Sequence, residues 1–211
     1  MMSPDQTSAI LPLSLLEALR NLDRPVEDGL AEFSHEVVAK RLGLNPTVSA
    51  QIARYQGLAR TGAPVEPEEA GAVFALVGRR PDAPLVYADA GRRAARYAAR
   101  SLPLAWRVVL GSIPASLRRR VGSRRAAAVA RAVFGVVLRV EPLRAEARIE
   151  STDPGERVPD VESCEFIGAA MSELLRTLAG FEGAMVHRTC RSRGDAACAW
   201  RARAVDVDDP Y

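Results

Sequence analysis

The chain has 211 residues, of which 48% are hydrophobic and 26% charged, and its formal net charge is +3. This length can bury the core of one large domain or two small ones, and the composition excludes a disordered or fibrous chain. No basic stretch precedes the first apolar run, and no uncharged apolar run approaches the ~20 residues that cross a bilayer. We therefore expect a cytoplasmic protein without a transmembrane segment.

The first two-thirds of the sequence have apolar residues at helical spacing, interrupted by prolines. Thr47 is the expected N-cap of the third helix. The predicted helices cover residues 11–22, 25–43, 47–60, 66–79, 83–102, two short segments bracketed by Pro103 and Pro114, and 123–134.

Two features of these helices concern their surfaces. Small residues form one face of the helix 83–102, which favours close packing against a neighbour: Ala90, Gly91, Ala94, Ala95 and Ala98. The segment 107–131 contains seven arginines and no acidic residue. It is interpreted as a solvated helical face or as a surface that contacts an anion. Trp106 is the one aromatic residue close by, so nucleic acid is not an expected partner.

After residue 136 the pattern changes. Charged and apolar residues alternate over 143–150, which predicts a half-buried strand. A helix over 164–178 should end at Gly180, and strands over 183–190 and 197–205 should join through a turn at Gly194 and Asp195. The expected fold is α+β, with a helical part (1–135) packed with an antiparallel sheet and a C-terminal helix and hairpin (136–205) in one integrated domain.

Cys164, His187, Cys190 and Cys198 lie in this C-terminal part. Three thiolates and an imidazole are a common ligand set of structural zinc, and a hairpin would bring the last two cysteines together. The alternatives are three buried unlinked thiols or a disulfide. His187 and Cys190 would point to opposite faces of a regular strand, so their convergence requires a bulge or an early turn near Thr189.

The segments ESCEFIGAAMSELLRTLAG and HRTCRSRGDAACAW resemble the 4-vinyl-reductase domain family. With SAILPLSLLEAL and DAGRRAARYAARSLP, the resemblance covers most of residues 8–204 and is greatest to bacteriochlorophyll 4-vinyl reductase-like proteins. It implies a small-molecule-binding fold related to haem–NO-binding domains. In similar phenol-sensing domains the three cysteines bind zinc with a glutamate, and His187 occupies the glutamate's place. The segment 134–148 departs from the family because it lacks an aromatic-rich stretch.

The resemblance implies binding of a tetrapyrrole, such as a Mg-porphyrin or chlorophyllide, in bacteriochlorophyll biosynthesis. Arginines would meet its propionate, and the candidates are Arg92, Arg93, Arg118 and Arg124. No dinucleotide motif is present, and no catalytic residue is assigned. We therefore expect a carrier that passes its ligand to a pigment-biosynthesis enzyme. The alternatives are a vinyl reductase that uses an external electron donor and a stand-alone sensor or adaptor for another hydrophobic ligand. A homodimer is compatible with the sequence.

Overall fold

The computed structural model describes residues 7–24, 42–149 and 163–203. It combines helices with antiparallel sheets, which confirms the α+β class. Short turns of 3-10 helix occur at Leu42–Leu44 and Arg191–Arg193. The main elements are β1 (Thr7–Ser8), α1 (Ile10–Leu22), α2 (Pro46–Thr61), β2 (Pro64–Val65), α3 (Pro67–Gly78), α4 (Ala83–Arg100), α5 (Leu104–Ser112), α6 (Ala115–Phe134), β3 (Val137–Val140), β4 (Arg144–Ile149), α7 (Ser163–Leu174), β5 (Val186–Thr189) and β6 (Cys198–Arg203).

The chain forms two compact units, residues 1–90 and 91–211, with their boundary inside α4. In the first unit Leu13, Leu15, Leu16 and Leu19 of α1 are buried, and α1 packs against α2 and α3. Residues 91–134, which the sequence analysis grouped with the N-terminal part, belong to the same unit as the larger sheet. The helix expected from Pro25 falls on residues 25–41, outside the described part of the chain.

The sheet of the second unit has the strand order β3-β4-β6-β5, and all neighbours are antiparallel. Ala145 and Ala147 of β4 are buried while Arg144 and Arg148 are exposed, which confirms the half-buried strand. The same alternation occurs in β6. The inward side chains of both strands join apolar residues of α7 in one core. After Leu174 the helix continues as a π-helical turn, Leu175–Ala179, and ends at Gly180, whose φ is +62°.

Two predictions about helix ends are wrong. Asn45, and not Thr47, caps α2, because the Asn45 side chain accepts a hydrogen bond from the Thr47 backbone N–H at 2.9 Å.

The helix expected over 123–134 is the second half of the continuous helix α6. Gly122 does not end this helix. Its missing side chain lets the backbone approach Leu178, whose carbonyl oxygen would lie 2.0 Å from a Cβ at that position.

The small-residue face of α4 packs closely in the second unit, as predicted. Ala94, Ala95 and Ala98 are buried. A Cβ at Gly91 would lie 2.2 Å from the carbonyl oxygen of Phe166 on α7. The small residues therefore allow α4 and α7 to pack with their backbones close together.

Candidate metal centre

Three elements bring the four predicted ligands together. Cys164 lies in the first turn of α7, His187 in β5, Cys190 just after β5, and Cys198 at the start of β6. Their donor atoms all lie within 4.8 Å of one another. The three cysteines are at most 2% exposed, and His187 is half-buried. The structure thus forms a cluster that could hold one metal ion.

The sulfur spacing distinguishes this cluster from a disulfide. All three cysteines are free, and the Cys164 Sγ lies 3.9 Å from the Sγ atoms of both Cys190 and Cys198. Thiolates arranged tetrahedrally about a metal at about 2.3 Å stand roughly 3.8 Å apart. The distances therefore match thiolates that share an ion.

A β-bulge makes the convergence of His187 with the cysteines possible. His187 is opposite Trp200 on β6, but Thr189 is opposite the adjacent residue, Ala199, so the register shifts between them. This irregularity confirms the bulge expected near Thr189. It lets His187 and Cys190 point to the same side of the strand.

The loop between Cys190 and Cys198 is held by its own hydrogen bonds. The backbone N–H groups of Arg193 and Asp195 donate to the Cys190 carbonyl at 2.9 and 3.2 Å. The Asp195 carboxylate in turn accepts from the Cys190 N–H at 2.7 Å. Gly194 has a φ of +90°, which favours glycine at the turn. These bonds fix the two cysteines at the loop's ends.

Electrostatics in the cluster favour a bound cation. Burial, followed by the neighbouring Cys198 and Cys190, raises the pKa of the Cys164 thiol well above its usual range. For Cys190, burial acts in the opposite direction to hydrogen bonds from Ser192, and the net effect is a lowered pKa. Three thiolates this close repel one another, so a cation is needed to hold all three ionised.

His187 has the protonation state and the free atom that a ligand needs. Burial, and then the charge of Arg193, lower the pKa of its imidazole, which favours the neutral form. Its Nε2 is buried and has no hydrogen-bond partner within residues 7–24, 42–149 and 163–203. The ring stacks on Trp200 with centroids 4.9 Å apart. A metal would satisfy this nitrogen, while the stacking holds the ring in place.

Sequence reasoning missed the residues that support the ligands. Ser192 Oγ lies 2.8 Å from Cys190 Sγ, and the Arg191 backbone N–H donates to Cys198 Sγ at 3.4 Å. Asp195 was assigned only to the turn. Its position five residues after a ligand, directly after a glycine, was the available signal, because Asp side chains commonly bond to nearby backbone in turns.

The predicted arginines do not form one site. Arg118 lines a cavity of about 390 Å³, and Arg124 lines another of about 620 Å³. Arg92 is exposed and Arg93 is half-buried, and neither is among the residues that line these two cavities.

A comparison of the sequence with models of known protein families gives no match, and a comparison with curated proteins gives none either. None of the described helices is long and apolar enough to span a membrane. The family resemblance, the cytoplasmic location and a homodimer stay predictions. Functional inference therefore rests on the cluster and the cavities.

Proposed function

We propose that the cluster is a structural zinc site. The observation that carries this proposal is the convergence of three buried sulfurs, 3.9 Å apart in two pairs, with a ring nitrogen of His187, all within 4.8 Å of one another. Three thiolates and one imidazole complete the four-coordinate tetrahedron that zinc prefers. A full protein ligand set leaves no position for an activated water. Such a site stabilises the fold and does no chemistry.

The zinc would join parts of the chain that are distant in sequence. Cys164 belongs to the start of α7, while the other ligands belong to the final hairpin. The free N–H groups at the helix start also favour a thiolate at Cys164. Since the site is absent from the unfolded chain, the free energy of zinc binding contributes to folding. The zinc would thus fix α7 on the sheet.

We propose further that residues 91–211 bind a hydrophobic small molecule with a carboxylate, of the tetrapyrrole class, and carry it in bacteriochlorophyll biosynthesis. The cavity of about 620 Å³ beside α6 supports this class, because its size is typical of small-molecule sites. Its wall combines apolar and cationic side chains. These are Ala127, Leu138, Val140 and Pro142 on the apolar side, and Arg119, Arg120 and Arg124 on the cationic side.

A carrier fits these residues better than a vinyl reductase. Reduction of a vinyl group needs a hydride or electron donor, and the three cysteines are committed to the closed cluster. Among the described residues, the cavity wall offers arginines, two serines and one acidic residue, Glu141. These groups can bind and orient a carboxylate but supply no reducing equivalents. We therefore assign binding and transfer to this chain.

The test is an absorbance titration of the purified protein with divinyl protochlorophyllide, followed by NADPH. A saturable band shift that NADPH leaves unchanged supports the carrier. Arg124→Gln should weaken binding about tenfold, because it removes a charge-assisted hydrogen bond. Arg131→Gln is the matched control, since Arg131 is an exposed arginine of the same helix outside the cavity.

Two outcomes would contradict the carrier. A slow further shift on addition of NADPH, with release of monovinyl product, would identify a reductase. No shift at all would exclude a tetrapyrrole and leave a sensor or adaptor for another hydrophobic ligand.

A further inference from the structure

A second cavity, of about 390 Å³, has an unusually cationic wall. It is bounded by the end of α4, α5, the start of α6 and the last turns of α7. Among the residues that the structure describes, five arginines and one carboxylate line it: Arg96, Arg100, Arg107, Arg118, Arg176 and Glu173. Four helical segments thus direct positive charge to one place.

Glu173 does not neutralise all of this charge. Its carboxylate accepts hydrogen bonds from Arg96 at 2.8 Å and from Arg176 at 2.7 and 3.0 Å. Burial opposes the shift, but Arg176 and then Arg96 lower the pKa of Glu173, so the carboxylate is ionised at neutral pH. Glu173 therefore holds two of the arginines in place. Its single negative charge leaves the cavity strongly positive.

The other three arginines have no acidic partner among the residues that the structure describes. Arg100 and Arg107 are exposed at the cavity wall. Arg118 is half-buried and donates to the Thr177 carbonyl at 3.0 Å. Its Nε is buried and has no hydrogen-bond partner in the described part of the chain. A buried donor without a partner is costly, and a bound acceptor would satisfy it.

We propose that this cavity binds an oxyanion of the phosphate class, with Arg100, Arg107 and Arg118 as its ligands. The three guanidinium groups come from three different helices, so they can address different oxygens of one tetrahedral group. Guanidinium groups pair with phosphate through parallel charge-assisted hydrogen bonds. This site goes beyond the proposed function, because it lies apart from the cavity lined by Arg124.

The apolar part of the wall indicates what kind of group could be attached to the phosphate. Ala99, Leu110 and Leu178 are buried and contribute to the wall. They provide a surface for a small organic group attached to the phosphate. The cavity volume is within the range of sites for small molecules. A phosphorylated small molecule or the headgroup of an anionic lipid presents the same chemistry.

Isothermal titration calorimetry with inorganic pyrophosphate, at fixed ionic strength, tests the proposal on the full chain. Saturable binding is expected. Arg118→Gln should weaken it about tenfold or more, and so should Arg107→Gln, whose exposed side chain can be changed without loss of folding. Arg131→Gln, which removes the same charge from the same acid-free segment outside the cavity, should have less than about a twofold effect.

Sedimentation with vesicles that contain phosphatidic acid distinguishes the two sources. Pyrophosphate binding supports a soluble ligand. Vesicle binding without pyrophosphate binding, lost in Arg107→Gln and kept in Arg131→Gln, supports a lipid headgroup at the same arginines. Absence of both kinds of binding would overturn the proposal. Equal weakening by Arg131→Gln would also overturn it, because the attraction would then be a general effect of charge.

Discussion

Replacement of Cys190 by serine separates a zinc site from a cluster of buried thiols. In a cluster without metal, Cys190→Ser would cost about 1–3 kcal/mol, the usual penalty for a buried polar group with imperfect partners. Ser192 Oγ lies 2.8 Å from the Cys190 Sγ, so a hydroxyl at position 190 would have a partner and the cost should be at the low end.

A zinc site predicts a larger loss. Structural zinc contributes about 10–16 kcal/mol of apparent binding free energy, and loss of one ligand in four forfeits roughly 3–4 kcal/mol of it. With the low-end polar cost of about 1 kcal/mol added, we expect a destabilisation of about 4–5 kcal/mol. For a chain of this size each kcal/mol lowers Tm by roughly 2–4 °C, so the expected decrease is about 8–20 °C.

The assay combines elemental analysis with thermal unfolding, in the presence and absence of a strong chelator. Wild type should contain one zinc per chain, and Cys190→Ser should bind zinc roughly 100- to 1,000-fold more weakly and lose it to the chelator first. With the chelator, the difference in stability between the two proteins should shrink to the metal-free value of about 1–3 kcal/mol. Ser192→Ala is the control, since it removes the neighbouring hydroxyl and leaves all four ligands. Zinc held by Cys190→Ser as tightly as by wild type, or a wild-type Tm that the chelator leaves unchanged, would refute the reasoning.

Three further predictions concern the ligand set, the packing and the buried carboxylate. His187→Ala should lower zinc affinity at least about 100-fold in a chelator competition, because loss of a residue that only hydrogen-bonds to a metal ligand already costs about 10–100-fold. His187→Cys should restore the affinity, since it supplies a fourth ligand. Gly122→Ala should lower the free energy of unfolding in urea by about 2 kcal/mol or more, because a backbone oxygen would lie 2.0 Å from the new Cβ. Gly57→Ala is the control: nothing in the described part of the chain lies within 4 Å of its new Cβ, so the change should be neutral or slightly stabilising. Arginine partners lower the pKa of Glu173 below its ordinary 4.5, so its contribution is full above pH 4.5 and is lost as the pH falls through the lower, folded-state pKa. Glu173→Gln should therefore cost about 1–3 kcal/mol at pH 7 and flatten this acid dependence, and an unchanged slope would contradict the assignment.

The sequence predicted the four residues of the cluster from their chemistry. Thiols and imidazoles are few in this chain, and the helix and hairpin that carry them have clear apolar periods. Cys198 and Trp200 are two residues apart on β6, which places them on one face of the strand, and both are buried. The mismatch between a strand period of two and a separation of three predicted the bulge between His187 and Thr189.

The sequence did not predict contacts between segments that are far apart in the chain. The predicted helix begins at residue 123, but Gly122 lies inside α6. Only the neighbouring chain at Leu178 gives it a packing role. The arginines were likewise visible, but their division between two cavities depends on how α4, α5 and α6 pack. The spacing of apolar residues predicts which face of a helix is buried, but it does not predict which element packs against that face.

Helix α7 connects two of the sites proposed for the second unit, the zinc cluster and the cationic cavity. Its first turn carries Cys164, and its last turns carry Glu173 and Arg176 beside the cationic cavity. Glu173 is nine residues after Cys164, a distance of about 14 Å along a helix. Zinc at the start of the helix would therefore fix the axis along which Glu173 holds its two arginines. The metal would contribute to anion binding through the position of this helix, and not through its charge, which is largely screened at this distance.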